Sequence, residues 1–224
     1  MNTRTLFRPI ILAFALLLAS CTDIGTIVQP IPYSPTTDLR TIIPLSLGNT
    51  WAYHRTEYND DSFDTSRIVD TIWRQDKRHF VFEGDPPLRM TYGGVYEESV
   101  DSNDYSIYFC RGCFQGSANS AGLADGNWLP IHLLKTPLAK GSSWRCADWD
   151  SLFGFDWGTI TILNPDTTVQ THLGTVAHAI VLEQHTANWK LEFIIAPRVG
   201  IIRSSSAFSS LDCVMFQRSS NAYQ

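Results

Sequence analysis

The residues best equipped for chemistry stand together between Trp144 and Trp157. There, Trp144-Arg145-Cys146-Ala147-Asp148-Trp149-Asp150-Ser151-Leu152-Phe153-Gly154-Phe155-Asp156-Trp157 sets three carboxyls among five aromatic rings. Carboxylates beside aromatic faces are what sugar binding and glycoside hydrolysis use, one acid protonating the leaving oxygen and the other serving as base or nucleophile. Asp148 and Asp150, two positions apart, would share one strand face, and Asp156 could approach from across a hairpin. Trp144, Asp148, Trp149, Asp150, Asp156 and Trp157 are therefore the candidate binding residues. A loop whose rings enter the core while its acids stay hydrated has the same composition. That plainer reading is preferred, because a catalytic pair is defined by geometry.

Other constellations are weaker. Asn59-Asp60-Asp61-Ser62-Phe63-Asp64 and Asp101-Ser102-Asn103-Asp104 cluster the oxygens that calcium prefers, yet neither has the central Gly and terminal Glu of a twelve-residue calcium loop. Hairpin turns rich in Asn and Asp look alike. His172, His178 and His185 are six and seven apart, not the i, i+4 of a helical zinc pair, and read as structural histidines. Gly-x-Ser-x-Gly, Ser-x-x-Lys, His-Glu-x-x-His and Gly-x-x-x-x-Gly-Lys are all missing, so nucleophilic, metallopeptidase and nucleotide chemistry lose their usual support. No metal or cofactor is implied.

The elements that would position these residues are strands. Trp51 to Tyr58, Arg67 to Trp73, His79 to Glu83, Leu88 to Tyr92, Val95 to Val100 and Tyr105 to Cys110 are short, β-branched or aromatic, and bounded by Asp, Asn, Gly and Pro. The pattern resumes with Thr159 to Leu163, Ala179 to Glu183, Trp189 to Ile195, Gly200 to Ser204 and Leu211 to Arg218. Most gaps are too short for a helix, so the chain reads as all-β, with antiparallel curved sheets in a sandwich or half-barrel. One short helix is expected around Leu129 to Leu134. Pro44-Leu45-Ser46-Leu47-Gly48-Asn49-Thr50-Trp51 recurs 93 positions later as Pro137-Leu138-Ala139-Lys140-Gly141-Ser142-Ser143-Trp144. Each copy should turn through its Gly and bury its Trp as a strand begins. Residues 44–224 then form a single domain, with 44–125 and 137–218 as candidate related halves.

The first residues are an address. Arg4 and Arg8 precede the apolar run Ile10 to Leu18, which is far shorter than the roughly 20 residues of a spanning helix. Leu18-Ala19-Ser20-Cys21 resembles the lipobox of bacterial lipoproteins, which implies cleavage of residues 1–20 and acylation of Cys21. Thr22, standing where an Asp would imply inner-membrane retention in enteric bacteria, points to the outer membrane. Residues 21–43, with Pro30, Pro32 and Pro35, read as an extended tether that could reach roughly 60 Å from the lipid at about 3.1 Å per residue.

Export agrees with the four remaining cysteines, Cys110, Cys113, Cys146 and Cys213, an even number for which two disulfides are the default. Proximity favours Cys110 with Cys113, leaving Cys146 with Cys213, while cross-pairing stands equally open. Zinc binding would want a second paired motif, and redox chemistry would want a helix after Cys113; the sequence supplies neither.

Further motifs carry a family likeness. Leu47-Gly48-Asn49-Thr50-Trp51-Ala52-Tyr53, the later Pro137-Leu138 with Gly141 and Trp144, and Ile195-Ala196-Pro197-Arg198-Val199-Gly200-Ile201-Ile202 resemble uncharacterised bacterial lipoproteins opening with Gly-Asn-x-Trp-x-Tyr and closing with Ala-Pro-x-Val-Gly-x-Val/Ile. The resemblance implies an exported antiparallel β protein without an assigned activity. Cys110 and Cys113 stand outside that pattern.

Without its leader the chain keeps 15 Lys and Arg against 22 Asp and Glu and has no basic run, which argues against nucleic acid as a partner. Hydrophobic residues at 44% with 17% charged describe a folded core. The leading expectation is a non-enzymatic, lipid-anchored binding or structural module; a carrier of apolar ligands and a glycan hydrolase are the alternatives. Mass spectrometry of protein extracted from its own membranes should find Cys21 as an acylated N-terminus, and Cys21→Ser should move the protein into the aqueous phase on detergent partitioning.

Overall fold

Alternation of inward and outward residues, broken by Asn, Asp and Gly at turns, builds this chain almost entirely from strands. The computed structural model describes residues 37–57, 60–74, 76–84, 96–110, 128–147, 157–207 and 209–219. Its strands are β1 (Thr50–Glu57), β2 (Asp60–Arg74), β3 (Lys77–Gly84), β4 (Tyr96–Val100), β5 (Asp104–Cys110), β6 (Trp128–Lys135), β7 (Ser143–Arg145), β8 (Thr159–Thr171), β9 (Gly174–His185), β10 (Lys190–Ala196), β11 (Gly200–Ser205) and β12 (Ser209–Gln217). All belong to one sheet, ordered β6-β5-β4-β3-β2-β1-β12-β11-β10-β9-β8-β7.

That order is sequential in two runs, joined where β1 pairs antiparallel with β12 from Thr50 opposite Gln217 to Glu57 opposite Ser209. The two outermost strands, β6 and β7, then approach each other. His132 N–H donates to the Cys146 carbonyl at 2.7 Å, and the Trp144 indole N–H donates to the His132 carbonyl at 2.9 Å. The sheet is thereby a nearly closed barrel, which leaves little open edge.

Its interior is apolar. Leu191, Phe193 and Ile195 of β10 join Ile107, Ile131, Ile160 and Leu182 in one cluster. The intervening Ile194 and Ala196 enter a second cluster with Val176 and Ala179, against which Val169 and Leu173 pack. Hairpin β8–β9 reaches that position by bending: its register shifts three times between Ile162 and Val169, and His178 sits at φ 57°. His178 Nδ1 lies 2.9 Å from Asp166 Oδ1. His172 is in the turn and His185 at the far end of β9, so the three histidines form no shared site.

The echoed segments make the same turn. Gly48 N–H donates to the Ile68 carbonyl and Ile68 N–H to that of Asn49; Gly141 donates to Ile162 and Ile162 to Ser142 in the same arrangement. Both glycines are left-handed, at φ 81° and 83°, a region costly to residues with a Cβ.

Several expectations need correction. Leu129 to Leu134 lies in strand β6, not in a helix. Ile131, His132, Leu133 and Leu134 are all buried, because a strand at the closure is covered on both faces and loses its alternating signature. The tether ends earlier than Ile43. Leu39–Thr41 is a 3₁₀ turn capped by Asp38, and Leu39, Ile42 and Ile43 are buried in the interior cluster. Strand β2 starts at Asp60 rather than Arg67, its first half being too polar to read as a strand. Cys146 and Cys213 do not pair with each other; each is buried in a different cluster. The Cys110 side chain, Cys113 and the expected strand Leu88 to Tyr92 lie outside the described residues.

Trp144→Phe keeps the ring and removes the donor at the closure. It should lower the stability of the folded state by about 1 kcal/mol, read as a shifted urea midpoint.

Candidate functional site

On strands β2 to β6 the side chains alternate between the apolar interior and the opposite, outer face. That outer face carries a buried polar band. Adjacent Glu97 and Glu98 of β4 illustrate the split. Glu97 faces out with His79 of β3 and Tyr108 of β5, while Glu98 faces in opposite Phe80 and Ile107.

The band centres on Glu97, which has no exposed surface. Arg74 Nε donates to its Oε2 at 3.0 Å and Arg74 Nη2 to its Oε1 at 3.3 Å, a bidentate pair. His79 Nδ1 lies 3.1 Å from the same Oε2, which assigns the ring proton to Nδ1 as donor. The guanidinium of Arg74 lies over Trp128 at 4.7 Å, and the His79 ring is 4.2 Å from that of Tyr108. Among the described residues, His79 Nε2 and Trp128 Nε1 are buried without a hydrogen-bond partner.

Beside it, Asp104, Ser106 and His132 have the residue types of a nucleophilic triad. Ser106 Oγ is 2.9 Å from His132 Nδ1, and Asp104 Oδ2 is 2.9 Å from that same nitrogen. A relay needs the serine and the carboxylate on opposite ring nitrogens. Here they share one, and Ser106 also donates to Asp104 at 2.9 Å, so the three form a structural knot.

Electrostatics along the band follow burial and neighbours. Burial raises the Tyr108 phenol, with Lys77 pulling the other way. Lys77 is itself held above the ordinary lysine range: burial works against its charge, and Tyr108, Asp104 and Asp101 outweigh it. Asp101 is lowered despite burial, because it accepts the backbone N–H groups of Asn103 and Asp104, each at 2.8 Å, and faces Lys77. That Asx turn explains the Asp101 to Asp104 oxygens. The Asp60 to Asp64 segment is the first third of β2, with Asp61 against His54 and Asp64 against Arg55 at 2.7 Å. Among the described residues, no group of three or more His, Cys, Asp or Glu is arranged to hold a metal.

Inside the barrel, the Tyr105 hydroxyl donates to Glu98 Oε2 at 2.7 Å and that of Tyr53 to the Ile201 carbonyl at 3.1 Å. Both phenols are raised well above their ordinary value, first by burial and then by nearby anionic groups. Glu98 and Ser66 line a cavity of about 20 Å³ with Trp51, Tyr53 and Phe82. Its size suits one water molecule.

Of the residues singled out by sequence, Trp144 serves the closure and Trp157 packs half-buried on the interior cluster, its carbonyl accepting from Gln184 Nε2 at 2.8 Å. Asp148, Trp149, Asp150 and Asp156 lie outside the described residues. Burial pushes the Cys213 thiol up to about 12, so it is neutral and unreactive at physiological pH.

No family model matches the sequence, and no curated protein matches it. Two solved structures superpose on the chain at a distance. A protein from Bacteroides fragilis, provisionally described as exported with a YmcC-like fold, superposes at TM-score 0.43 with 11% identity over 80% of this chain and 99% of that one. A provisionally described lipoprotein from Parabacteroides distasonis gives TM-score 0.41 and 8% identity over 81% and 99%. Likenesses this distant carry no assignment of activity or location.

Glu97→Ala would remove the carboxylate that the buried Arg74 and His79 share and should cost about 3–5 kcal/mol in urea unfolding. Replacing the pair together, Arg74→Met with Glu97→Leu, should cost less than the single change.

Proposed function

We propose that the protein is a lipid-anchored component of the bacterial cell envelope, acting as a non-enzymatic binding or structural module. The leader ending in Leu18-Ala19-Ser20-Cys21 carries this reading. More than one acyl chain on Cys21 would hold the chain on its bilayer, each methylene contributing about 0.8 kcal/mol. Thr22 favours the outer membrane. Among the described residues, the interior cavity at Glu98 has room for one water and not for a lipid, which supports a scaffold more than a carrier. The shared nitrogen of His132 argues in the same direction against nucleophilic catalysis.

Incubation of the purified mature protein with cell-wall and surface glycans tests the reading. No cleavage should be seen, and Asp148→Asn with Asp156→Asn should behave as the parent does. A glycan-cleaving activity lost in that double variant would replace the module with a hydrolase.

A further inference from the structure

The two ends of the barrel differ, and the chain from Cys21 joins one of them. Leu39 N–H donates to the Ser102 carbonyl in the β4–β5 turn, and Lys77 of the β2–β3 turn lies 3.4 Å from Asp101 in that same turn. Thr136 N–H, after β6, donates to Asn103 there as well. The turns after β2, β4, β6 and β10 therefore surround the point where the body meets its tether.

This end exposes what a bilayer surface takes up. Trp73, one residue before the end of β2, is 74% exposed, and Leu47 and Val69 are each 44% exposed. Tryptophan is favoured at the boundary between lipid and water. Arg40, Arg67, Arg78, Lys140 and Arg218 are exposed and Lys77, Lys135 and Arg198 partly buried around them, against exposed Asp70, Asp76 and Glu83 and partly buried Asp38, Asp101 and Asp104, with Arg40 paired to Asp38 and Lys77 to Asp101. The rim thus carries two more basic than acidic side chains, Arg78 and Lys140 among them, on a mature chain with seven more acidic than basic residues. The fifteen residues 22–36 span at most roughly 50 Å even when fully drawn out.

We infer that this end of the barrel docks on the anionic lipid surface that holds Cys21, with Trp73 at the headgroup boundary and Arg78 and Lys140 against the headgroups. The inference rests on the lipid-anchor reading for its occupant. Docking would fix the body's orientation, which a tether alone leaves free.

The mature chain carrying Cys21→Ser, and so lacking acyl chains, tests the surface by itself in sedimentation with vesicles of phosphatidylglycerol and phosphatidylcholine. It should bind them, bind pure phosphatidylcholine less, and release in high salt. Arg78→Glu with Lys140→Glu should weaken binding at least about tenfold, given about fivefold per basic residue at such a surface. Trp73→Ala should weaken it too, whereas Phe63→Ala, at the other end of β2 and 71% exposed, should not. An unchanged urea midpoint would establish that the variants are folded. Absence of vesicle binding, equal loss in the Phe63 variant, or Trp73-dependent self-association in place of binding would overturn the inference. Acylation of Cys21, measured by mass on the unaltered protein, decides the anchor separately: an unmodified Cys21 refutes the anchor whatever the vesicles show.

Discussion

The backbone of His132 is where a twelve-stranded sheet becomes a barrel. Strands in sequential order form their neighbour ladders through short turns, and β1 with β12 ties the two runs together over the whole length of β1. What remains is one seam between β6 and β7. His132 stands on it twice, giving its N–H to Cys146 and taking the Trp144 indole on its carbonyl. Unpaired strand edges invite pairing with other chains. A seam that includes this backbone bond and this indole is therefore the feature on which a filled, nearly closed barrel depends.

Closure sets two further demands. The interior has to be filled, and the segment after the tether contributes to this by inserting Leu39, Ile42 and Ile43 among side chains from β5, β6 and β8 to β11. Arg198 N–H fastens that segment by donating to the Ile42 carbonyl at 2.7 Å. The outer face of β2 to β6 must also be satisfied where it is buried. Glu97 is the device there, since one carboxylate takes both nitrogens of Arg74 and the ring of His79. Removing an ion from such a cluster costs more than omitting the cluster altogether, so its members are fixed jointly rather than one by one.

Strands with one wet face were legible in the sequence. β1, burying Trp51 and Tyr53, and β12, burying Leu211 and Cys213, carry their alternation openly, and the Gly48 and Gly141 turns announced themselves through repetition. Buried-on-both-faces β6 was not legible, because Ile131, Leu133 and Leu134 around His132 read equally well as one side of a helix. Asp60 to Ser66 concealed a strand for the opposite reason, since its ladder with β1 is largely hydrated and polar. The Arg74, His79 and Glu97 cluster left no trace in one dimension. Each residue looks like a solvent-facing strand position, and only the register of β2, β3 and β4 makes them neighbours. Signals local in sequence survived the reading; those created by pairing did not.

Strand direction makes one more distinction between the ends. Odd-numbered strands run away from the tether and even-numbered ones run back, so each odd-to-even connection departs from the far end. The Trp144 to Trp157 connection is of that kind, leaving the sheet at Arg145 and rejoining it at Thr159, opposite each other in the β7–β8 ladder. Trp189, 37% exposed before β10, belongs to the same end. The ladder positions Arg145 and Thr159 that flank this connection are thus at the end away from the point of attachment, while Trp73 is on the attachment side. Strand parity thus separates the connections of the barrel into two ends, the β8–β9 turn excepted. That turn departs from the rule because its bent hairpin brings His172 against His54 of β1.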